Sequence, residues 1–333
     1  MKRIFTILTA FAIIASNNLN AQNQNFEEIL NGGTSDANLY LKDFMNPVAS
    51  SIGNGLANGW YNTAKPHKTL GFDLTFNVNL AIIPDVAKTF EFIEAEGYST
   101  LSIDGPATSA LLPTFAGGET TEELLINGTS QTIVAPSGFE EQLGDFPGPL
   151  AIPTPTIQLG VGIIKNTDLI IRYTPEITAG DFSFQSFGFG VKHDFKQWIP
   201  GMKLLPFDLS GLVGFNRIST NYQIDEQAGQ FAEFNASATT VQAIISKKLL
   251  FFTPYAGVGV NIVRSNFVLN GIYDLGNGET TRPNPIDFAF DGSGGPRFTV
   301  GARVKILWVL ALNVDYTIQK YNTLSVGLGL NIR

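Results

Sequence analysis

The sequence contains no cysteine and only two histidines. The absence of cysteine excludes disulfide bonds, thiolate metal sites and the attachment of a lipid to a processed cysteine. Only 15% of the residues are charged, which is low beside the share of about 25% in typical soluble domains. The formal net charge is −8, so nucleic acid, which is bound by basic surfaces, is excluded as a partner.

Long apolar runs are also absent after the first residues. A helix that spans a bilayer needs about 20 apolar residues, whereas the longest such run, residues 306–312, has seven. The mean hydropathy is nevertheless positive, at +0.11. A transmembrane β-barrel explains this combination, because only every second residue of a membrane strand faces lipid.

The first residues are ordered as in a secretory signal peptide. Lys2 and Arg3 precede an apolar stretch over residues 4–16, and a polar run then leads to Ala21. That apolar stretch is too short to cross a bilayer as a helix. We therefore predict that residues 1–21 are a signal peptide and that the mature chain begins at residue 22.

Residues 67–83 show the clearest strand pattern. Apolar side chains occupy every second position from Leu70 to Ile82, and polar or small side chains occupy the positions between them. Because successive strand residues point to opposite faces, one face is apolar and the other polar. The alternation returns in segments that begin near residues 157, 169, 187, 205, 240, 255, 298, 310 and 323. The pattern predicts an all-β fold, a transmembrane antiparallel up-and-down barrel of about ten strands, with a range of ten to fourteen.

The connections between these strands differ in length at the two ends of the predicted barrel. The predicted outer connections are long at residues 84–155, 218–235 and 268–295 and short at residues 176–181 and 320–321. They alternate with brief inner connections near residues 166, 198, 248 and 307. Outer-membrane barrels have long extracellular loops and short periplasmic turns. On that orientation Trp60, Trp198 and Trp308 lie at the periplasmic rim, where amphipathic rings favour the interface.

Residues 84–155 form a strongly acidic insert. They contain eleven acidic residues and a single base, Lys88. We predict an extracellular insert of the barrel domain, which itself covers residues 67–333. A further hairpin at residues 122–135 would raise the strand count to twelve if it entered the membrane.

Residues 22–66 lack the alternation. A helix-like piece near residues 38–45 is followed by Asn46 and Pro47, and then by a glycine-rich stretch that includes Gly53 and Gly55. Several predicted strands carry glycines on their inward face, which leaves room beside the barrel wall. We predict that residues 22–66 are a plug inside the barrel or a segment across its periplasmic mouth.

Charged side chains of both signs face the predicted interior. One interpretation is a network of salt bridges that closes a narrow lumen, and the other is a polar constriction that selects solutes. On the second interpretation a solute path is lined by Asp73, Asn77, Arg172, Arg303 and Asp315.

No segment provides a catalytic constellation. His67 and His193 fall near the predicted periplasmic ends of their strands, and the sequence places neither a nucleophile nor a carboxylate beside them. The glycines at positions 53 and 55 neither follow a strand nor open a phosphate-binding loop. We therefore predict that the protein is not an enzyme and holds no cofactor or metal.

Two stretches carry a family resemblance. NPVASSIGNGLANGWYNTAKPHKTLGFDLTFNVNLAIIPD, at residues 46–85, and VKHDFKQWIPGMK, at residues 191–203, resemble an uncharacterised family of Gram-negative outer-membrane barrels. A more distant likeness is to the long-chain fatty-acid transporter barrels, whose N-terminal hatch contains Asn-Pro-Ala. Here Val48 follows Asn46 and Pro47, and fewer than that family's fourteen strands are predicted. The second resemblance implies a plugged barrel that passes hydrophobic molecules into the membrane.

These observations predict a protein of the cell outer membrane with one of two roles. The first is a passive transporter or channel, plugged at rest, for small or hydrophobic solutes. The second is a structural or interaction barrel whose acidic surface insert binds ions, envelope polymers or a partner protein. Expected partners are outer-membrane lipid and lipopolysaccharide, the barrel-assembly machinery during insertion, and a small or hydrophobic solute. A secreted soluble β protein is the remaining alternative.

Overall fold

The computed structural model describes residues 29, 33–127, 131–140, 149–273, 282–306 and 309–332. The signal peptide predicted for residues 1–21 and the predicted position of Trp308 lie outside these residues.

One long helix precedes a series of strands. Helix α1 spans Thr34–Leu56, and no helix of the described residues has both the length and the hydropathy to cross a membrane. The strands are β1 Phe72–Ile82, β2 Thr89–Ile93, β3 Leu101–Ile103, β4 Ser109–Pro113, β5 Glu123–Ile126, β6 Thr132–Val134, β7 Ala151–Ile163, β8 Thr167–Ala179, β9 Phe182–Asp194, β10 Asp208–Asp225, β11 Gln230–Ser246, β12 Phe252–Asn270, β13 Ile272–Tyr273, β14 Arg282–Pro283, β15 Ile286–Ala289, β16 Gly295–Ile306, β17 Leu310–Ile318 and β18 Thr323–Ile332. Short 3₁₀ helices lie at Asp85–Ala87, Lys196–Trp198 and Met202–Leu204.

Ten of these strands close into one antiparallel barrel. The order around the ring is β1, β7, β8, β9, β10, β11, β12, β16, β17 and β18. The last strand pairs with the first over ten residue pairs, from Phe72 opposite Ile332 to Ala81 opposite Thr323. The predicted up-and-down barrel of about ten strands is confirmed.

The alternation along each strand sorts apolar and polar residues between the two faces of the barrel wall. On β1, Leu74 and Phe76 are exposed on the outer face, whereas Thr75 and Asn77 are buried inside. Leu328 on β18 is likewise exposed. The outer surface is therefore apolar and the interior polar, which is the reverse of a soluble sandwich and typical of a barrel surrounded by lipid.

Three strands extend well beyond the others at the end with the long connections. Strands β10, β11 and β12 contain 18, 17 and 19 residues. The prediction that residues 218–235 form a long link was wrong, because most of them pair between β10 and β11. Polar side chains occur on both faces there, as in Ser219 on one face and Thr220 on the other. Apolar periodicity therefore could not detect this part of the ladder.

The insert between β1 and β7 folds into two small sheets, with β2 against β4 and β3, β5 and β6 side by side. Together with the first half of α1 these strands form a unit that we call the cap. Its apolar core includes Tyr40, Phe44, Phe92, Leu101 and Leu112. The hairpin expected at residues 122–135 is present as β5 and β6. It does not enter the barrel, because β1 pairs directly with β7.

The predicted boundary of the insert at residue 155 was wrong. Strand β7 begins at Ala151, which pairs with Ile82 of β1. Pro153 and Pro155 had suggested a loop, yet both lie where β7 pairs with β1, before its pairing with β8 begins at Gln158. A proline is tolerated there because its missing N–H can face the unpaired edge.

Asp36, in the first turn of α1, joins the helix to the chain at the start of β3 within the cap. Its side chain is fully buried. Its carboxylate accepts the backbone N–H groups of Ser99 at 2.9 Å, Thr100 at 2.7 Å and Leu101 at 2.9 Å. One acidic side chain thus satisfies three consecutive backbone donors, of which the Leu101 N–H is buried.

We expect Asp36→Ala to lower the stability of the cap by about 3 kcal/mol, because each buried N–H left without an acceptor costs about 1–3 kcal/mol. Limited proteolysis of the cap measures the effect as faster cleavage. Lys42→Ala is the control, since its pair with Asp291 at 2.9 Å is largely exposed and such pairs contribute about 0–1 kcal/mol. Equal cleavage rates for both variants would contradict the assignment.

Candidate functional site

The lumen contains the last residue of α1 and the chain that follows it, residues 56–67, which we call the luminal segment. Near its start the Ala57 carbonyl accepts the Thr240 hydroxyl of β11 at 3.2 Å. Near its end the Ser246 hydroxyl, six residues further along β11 and at the last residue of that strand, accepts the Ala64 N–H at 3.0 Å. The segment therefore runs along the inside of the barrel wall, from the middle of β11 to the end opposite the cap.

Arg172 of β8 holds the start of the luminal segment. Its Nη1 donates to the Leu56 carbonyl at 3.0 Å and its Nη2 to the Asn58 carbonyl at 2.7 Å. Its guanidinium carbon also lies 3.6 Å from the centroid of the Trp60 ring. A planar guanidinium is suited to this double role, because it donates in a fork and stacks on aromatic faces.

Arg297 and Arg303 of β16 add two further contacts. Arg297 donates from Nη1 to the Ala57 carbonyl at 2.8 Å and from Nη2 to the Asn58 side-chain oxygen. Arg303 donates from Nη1 to the Asn62 side-chain oxygen at 2.9 Å. Helix α1 has no basic residue in its last turn. The barrel wall therefore supplies the positive charge that a helix C-terminus favours.

A cluster of charged side chains holds the other end of the segment. The His67 N–H donates to Asp168 at 2.8 Å, and its ring nitrogen Nδ1 lies 3.1 Å from the same carboxylate. The other ring nitrogen lies 3.4 Å from Asp73. Lys192 lies 3.0 Å from Asp168 and donates to the Thr63 carbonyl at 3.3 Å. The sequence alone had not placed these carboxylates beside His67.

Glycines on the wall make room for the aromatic side chains of the segment. A Cβ added to Gly190 or Gly214 would lie 3.0 Å or 2.7 Å from the Trp60 ring, and one added to Gly257 would lie 2.2 Å from the Tyr61 hydroxyl. The expectation that inward glycines leave space is confirmed for Gly190 and Gly257. The placement of Trp60 at the rim was wrong: it is 1% exposed, whereas Trp198 is 61% exposed.

Little space remains beside these rings. A cavity of about 10 Å³ is lined by Trp60, Tyr61, Gln242, Arg297 and Asp315 among others. This is the volume that about one water molecule needs. Asp315 accepts the Tyr255 hydroxyl at 2.8 Å, so its carboxylate is already engaged with the wall.

The five residues predicted to line a solute path are all buried in the lumen. Four of them contact the luminal segment: Arg172 and Arg303 as described, Asp73 through His67, and Asn77 through the Gly59 carbonyl at 3.2 Å. Asp315 instead bonds to Tyr255, whose ring packs edge-on to Tyr61 at 5.7 Å.

The four residues predicted to belong to a plug all lie within α1. A helix through Asn46, Pro47, Gly53 and Gly55 contradicts the irregular chain expected after residue 45. The reason is close packing: added Cβ atoms at Gly53 and Gly55 would lie 2.1 Å and 2.3 Å from Val263 and Thr154. The gain from packing this helix against the wall outweighs the low helix propensity of glycine.

Two important residues were missed by sequence reasoning. Arg297 was overlooked because the predicted strand began one residue later, at Phe298. Extending the same alternation backwards would have placed Arg297 beside Thr299 on the inward face. Asp168 was missed because it lies next to the short connection predicted near residue 166, yet it is the second residue of β8 and pairs with Lys192. No local signal identifies its pairing with His67, which is distant in sequence.

The single basic residue of the acidic insert forms ion pairs with carboxylates of the same insert. Lys88 lies 2.7 Å from Glu140 and 2.9 Å from Asp85. The hydrogen bonds to these two carboxylates raise the pKa of Lys88 above its usual value. Several carboxylates of the cap are exposed, including Glu91, Glu119 and Glu122. The cap surface is therefore acidic.

Comparison with known proteins gives a family but no activity. Residues 1–332 match the model of a family described as "Family of unknown function (DUF6588)". A search of the curated proteins found none that matches the sequence.

Among solved structures, similarity is found to Ail of Yersinia pestis in complex with sucrose octasulfate, with 6% identity, 79% of this chain and 98% of that chain covered, and a TM-score of 0.31. The translocator domain of the autotransporter NalP from Neisseria meningitidis gives 10% identity, coverage of 90% and 98%, and a TM-score of 0.31. A Rh. blastica porin mutant gives 8% identity, coverage of 79% and 99%, and a TM-score of 0.19. With scores this low, the closed barrel rests on the strand pairing of this chain itself.

The packing of Trp60 against glycine is testable. We expect Gly214→Ala to lower the free energy of unfolding by about 1–3 kcal/mol, because the added methyl group overpacks the lumen. In a Trp60→Leu background the same change should cost clearly less, which urea unfolding followed by circular dichroism measures. Gly118→Ala is the control, since its added Cβ meets nothing closer than 3.9 Å. An equal cost of Gly214→Ala in both backgrounds would refute the contact.

Proposed function

We propose that this chain, which belongs to the Family of unknown function (DUF6588), is an outer-membrane barrel that transports small or hydrophobic solutes passively and is closed at rest. The closed state is produced by the luminal segment, and solute passes only when that segment moves. The proposal rests on one observation: the segment is held to the barrel wall by hydrogen bonds, chiefly from Arg172, Arg297 and Arg303.

The outer surface supports a membrane location. Apolar side chains cover the outward face of the barrel strands, among them Leu74, Phe76, Phe189, Val260 and Leu328. Strand β1, with 11 residues, has the length of a tilted membrane strand, about 9–11 residues. The two longest connections between barrel strands, residues 83–150 and 271–294, lie together at one end, as the long extracellular loops of outer-membrane barrels do.

The nature of the contacts supports a movable segment. The contacts of the wall with Leu56, Ala57, Asn58, Gly59 and Asn62 are hydrogen bonds to backbone carbonyls or side-chain oxygens. Each such hydrogen bond contributes much less net free energy than it would in an apolar medium, because water can replace either partner. A wet lumen could therefore exchange them for water. The packing of Trp60 and Tyr61 against Ile170, Leu212 and Ile244 is the apolar contact that movement of the segment must disrupt.

The transport proposal predicts that weakening these contacts opens the barrel. We expect Arg172→Gln combined with Arg297→Gln to raise the open probability of single channels in planar bilayers by about tenfold or more, because hydrogen bonds from charged groups contribute about 1.5–3 kcal/mol each. Deleting residues 26–60 should produce a steadily open channel. Unchanged conductance after that deletion would rule out a plug.

A reversible lock provides the matched control. An added Cβ at Gly53 would lie 3.4 Å from the Val263 Cβ, close to the spacing of about 3.5–4.5 Å found in disulfides. The chain has no cysteine of its own, so Gly53→Cys with Val263→Cys introduces the only pair. In the double-glutamine background we expect oxidation to suppress the openings and reduction to restore them. Equal conductance in both redox states would contradict movement of the segment.

The orientation is tested separately in intact cells. Val86 in the cap is 88% exposed, and Lys248 is exposed in the short link between β11 and β12. We expect a membrane-impermeant maleimide to label Val86→Cys but not Lys248→Cys, and to label both after the outer membrane is permeabilised. Labelling of Lys248→Cys alone in intact cells would place the cap in the periplasm.

A second candidate function rests on the cap. It has its own apolar core and an acidic surface, which suits a barrel that binds ions, envelope polymers or a partner protein. For such a barrel the lumen is only a structural core. Such a barrel would show the same conductance whether the Gly53→Cys and Val263→Cys pair is oxidised or reduced.

A further inference from the structure

Basic side chains on the outward face of the barrel are confined to one place. In the described parts of the ten barrel strands, Arg172, Lys192, Arg297, Arg303 and Lys305 lie on the inward face. The two exceptions are Arg217 on β10 and Arg264 on β12, both of which are exposed on the outer face. They pair across the same residue of the strand between them, Ser237 of β11. The two outward arginines therefore lie at the same level of the barrel wall, with one strand between them.

This pair marks the upper limit of the apolar band. Arg217 stands ten residues after Phe207, which is the length of a membrane-spanning strand, about 9–11 residues. Below the pair, outward positions hold Val213, Phe215, Val260 and Ile262. Above it they hold polar residues such as Ser219, Asn221 and Asn266. The arginines are thus at the level of lipid headgroups on the side of the cap.

The electrostatics of the pair favour an anion. Two strand spacings of about 4.8 Å separate the two Cα atoms, so the two positive charges face each other across Ser237 and repel each other. Neither guanidinium forms an ion pair with a carboxylate in the part of the chain that the structure describes. Glu233, further along the outward face of β11, accepts instead from Asn235 at 2.6 Å and from Asn270 at 3.4 Å.

Asn235 positions one of the two arginines. Its side chain is 9% exposed and its Oδ1 accepts a hydrogen bond from Arg217 Nη2 at 3.3 Å. That bond occupies one of the five N–H donors of the guanidinium. The remaining donors, and those of Arg264, are available to the planar, forked contacts by which arginine binds phosphate.

We propose that Arg217 and Arg264 form a site for a phosphate group of the lipid A part of lipopolysaccharide. The phosphate lies between the two guanidiniums, and the acyl chains lie along the apolar side chains below them. A soluble phosphate would not make use of that apolar surface. The choice of lipid A over an inner-leaflet lipid rests on the orientation given in the proposed function, with the cap outside.

The test measures binding of purified protein to lipid A with two phosphates, in detergent, by native mass spectrometry. We expect Arg217→Gln with Arg264→Gln to weaken binding by at least about tenfold, because two or more charge-assisted hydrogen bonds are lost. Lys247→Gln with Lys248→Gln is the matched control: it also removes two exposed positive charges, but at the other end of the barrel. Its affinity should stay within about twofold of the unchanged protein.

Two further lipids distinguish the possible sources of the phosphate. Dephosphorylated lipid A should bind at least about tenfold more weakly than the phosphorylated form. Equal binding of the two would overturn the phosphate site, as would full affinity in the double-arginine variant. Equally tight binding of phosphatidylglycerol would overturn the assignment to lipid A. Circular dichroism confirms that each variant is folded. The binding test does not measure conductance, so a negative result would not contradict the transport proposal.

Discussion

Polar groups of the chain that lie inside a closed barrel must find hydrogen-bond partners, and this requirement shapes the whole interior. The barrel wall has a polar inner face because its apolar residues point outward. The carbonyls at the end of α1 therefore meet donors such as Arg172, Arg297 and Thr240 rather than hydrocarbon. Without them, the lumen would contain several buried acceptors without partners, each with a substantial free-energy cost.

The sequence predicted the wall better than its contents. A two-residue period is a strong signal, and it located all ten barrel strands and the inward positions of Asp73, Asn77, Arg172, Arg303 and Asp315. It failed where both faces are wet, as at the extended ends of β10 and β11. There the ladder is held by backbone hydrogen bonds, and side-chain hydropathy carries no information about it.

The course of α1 and the partners of Trp60 could not be predicted because they depend on contacts distant in sequence. Glycines at positions 53 and 55 weaken a helix in isolation, yet here they allow it to approach Val263 and Thr154. Trp60 likewise meets Gly190, Gly214 and Arg172, which lie on three different strands. Amphipathic character alone pointed to the rim, whereas a guanidinium and two glycines provide a place for the ring inside.

The route of the chain through the lumen has a topological consequence for assembly. The first barrel strand, β1, follows directly after the luminal segment, and it is also the strand that meets β18 to complete the ring. Residues 56–67 must therefore be in place when the seam between β1 and β18 forms, or be threaded afterwards with the cap still unfolded. Once the ring has closed, the chain before residue 56 can change sides only by passing lengthwise through the barrel. Closure of the seam thus fixes on which side of the barrel α1 begins.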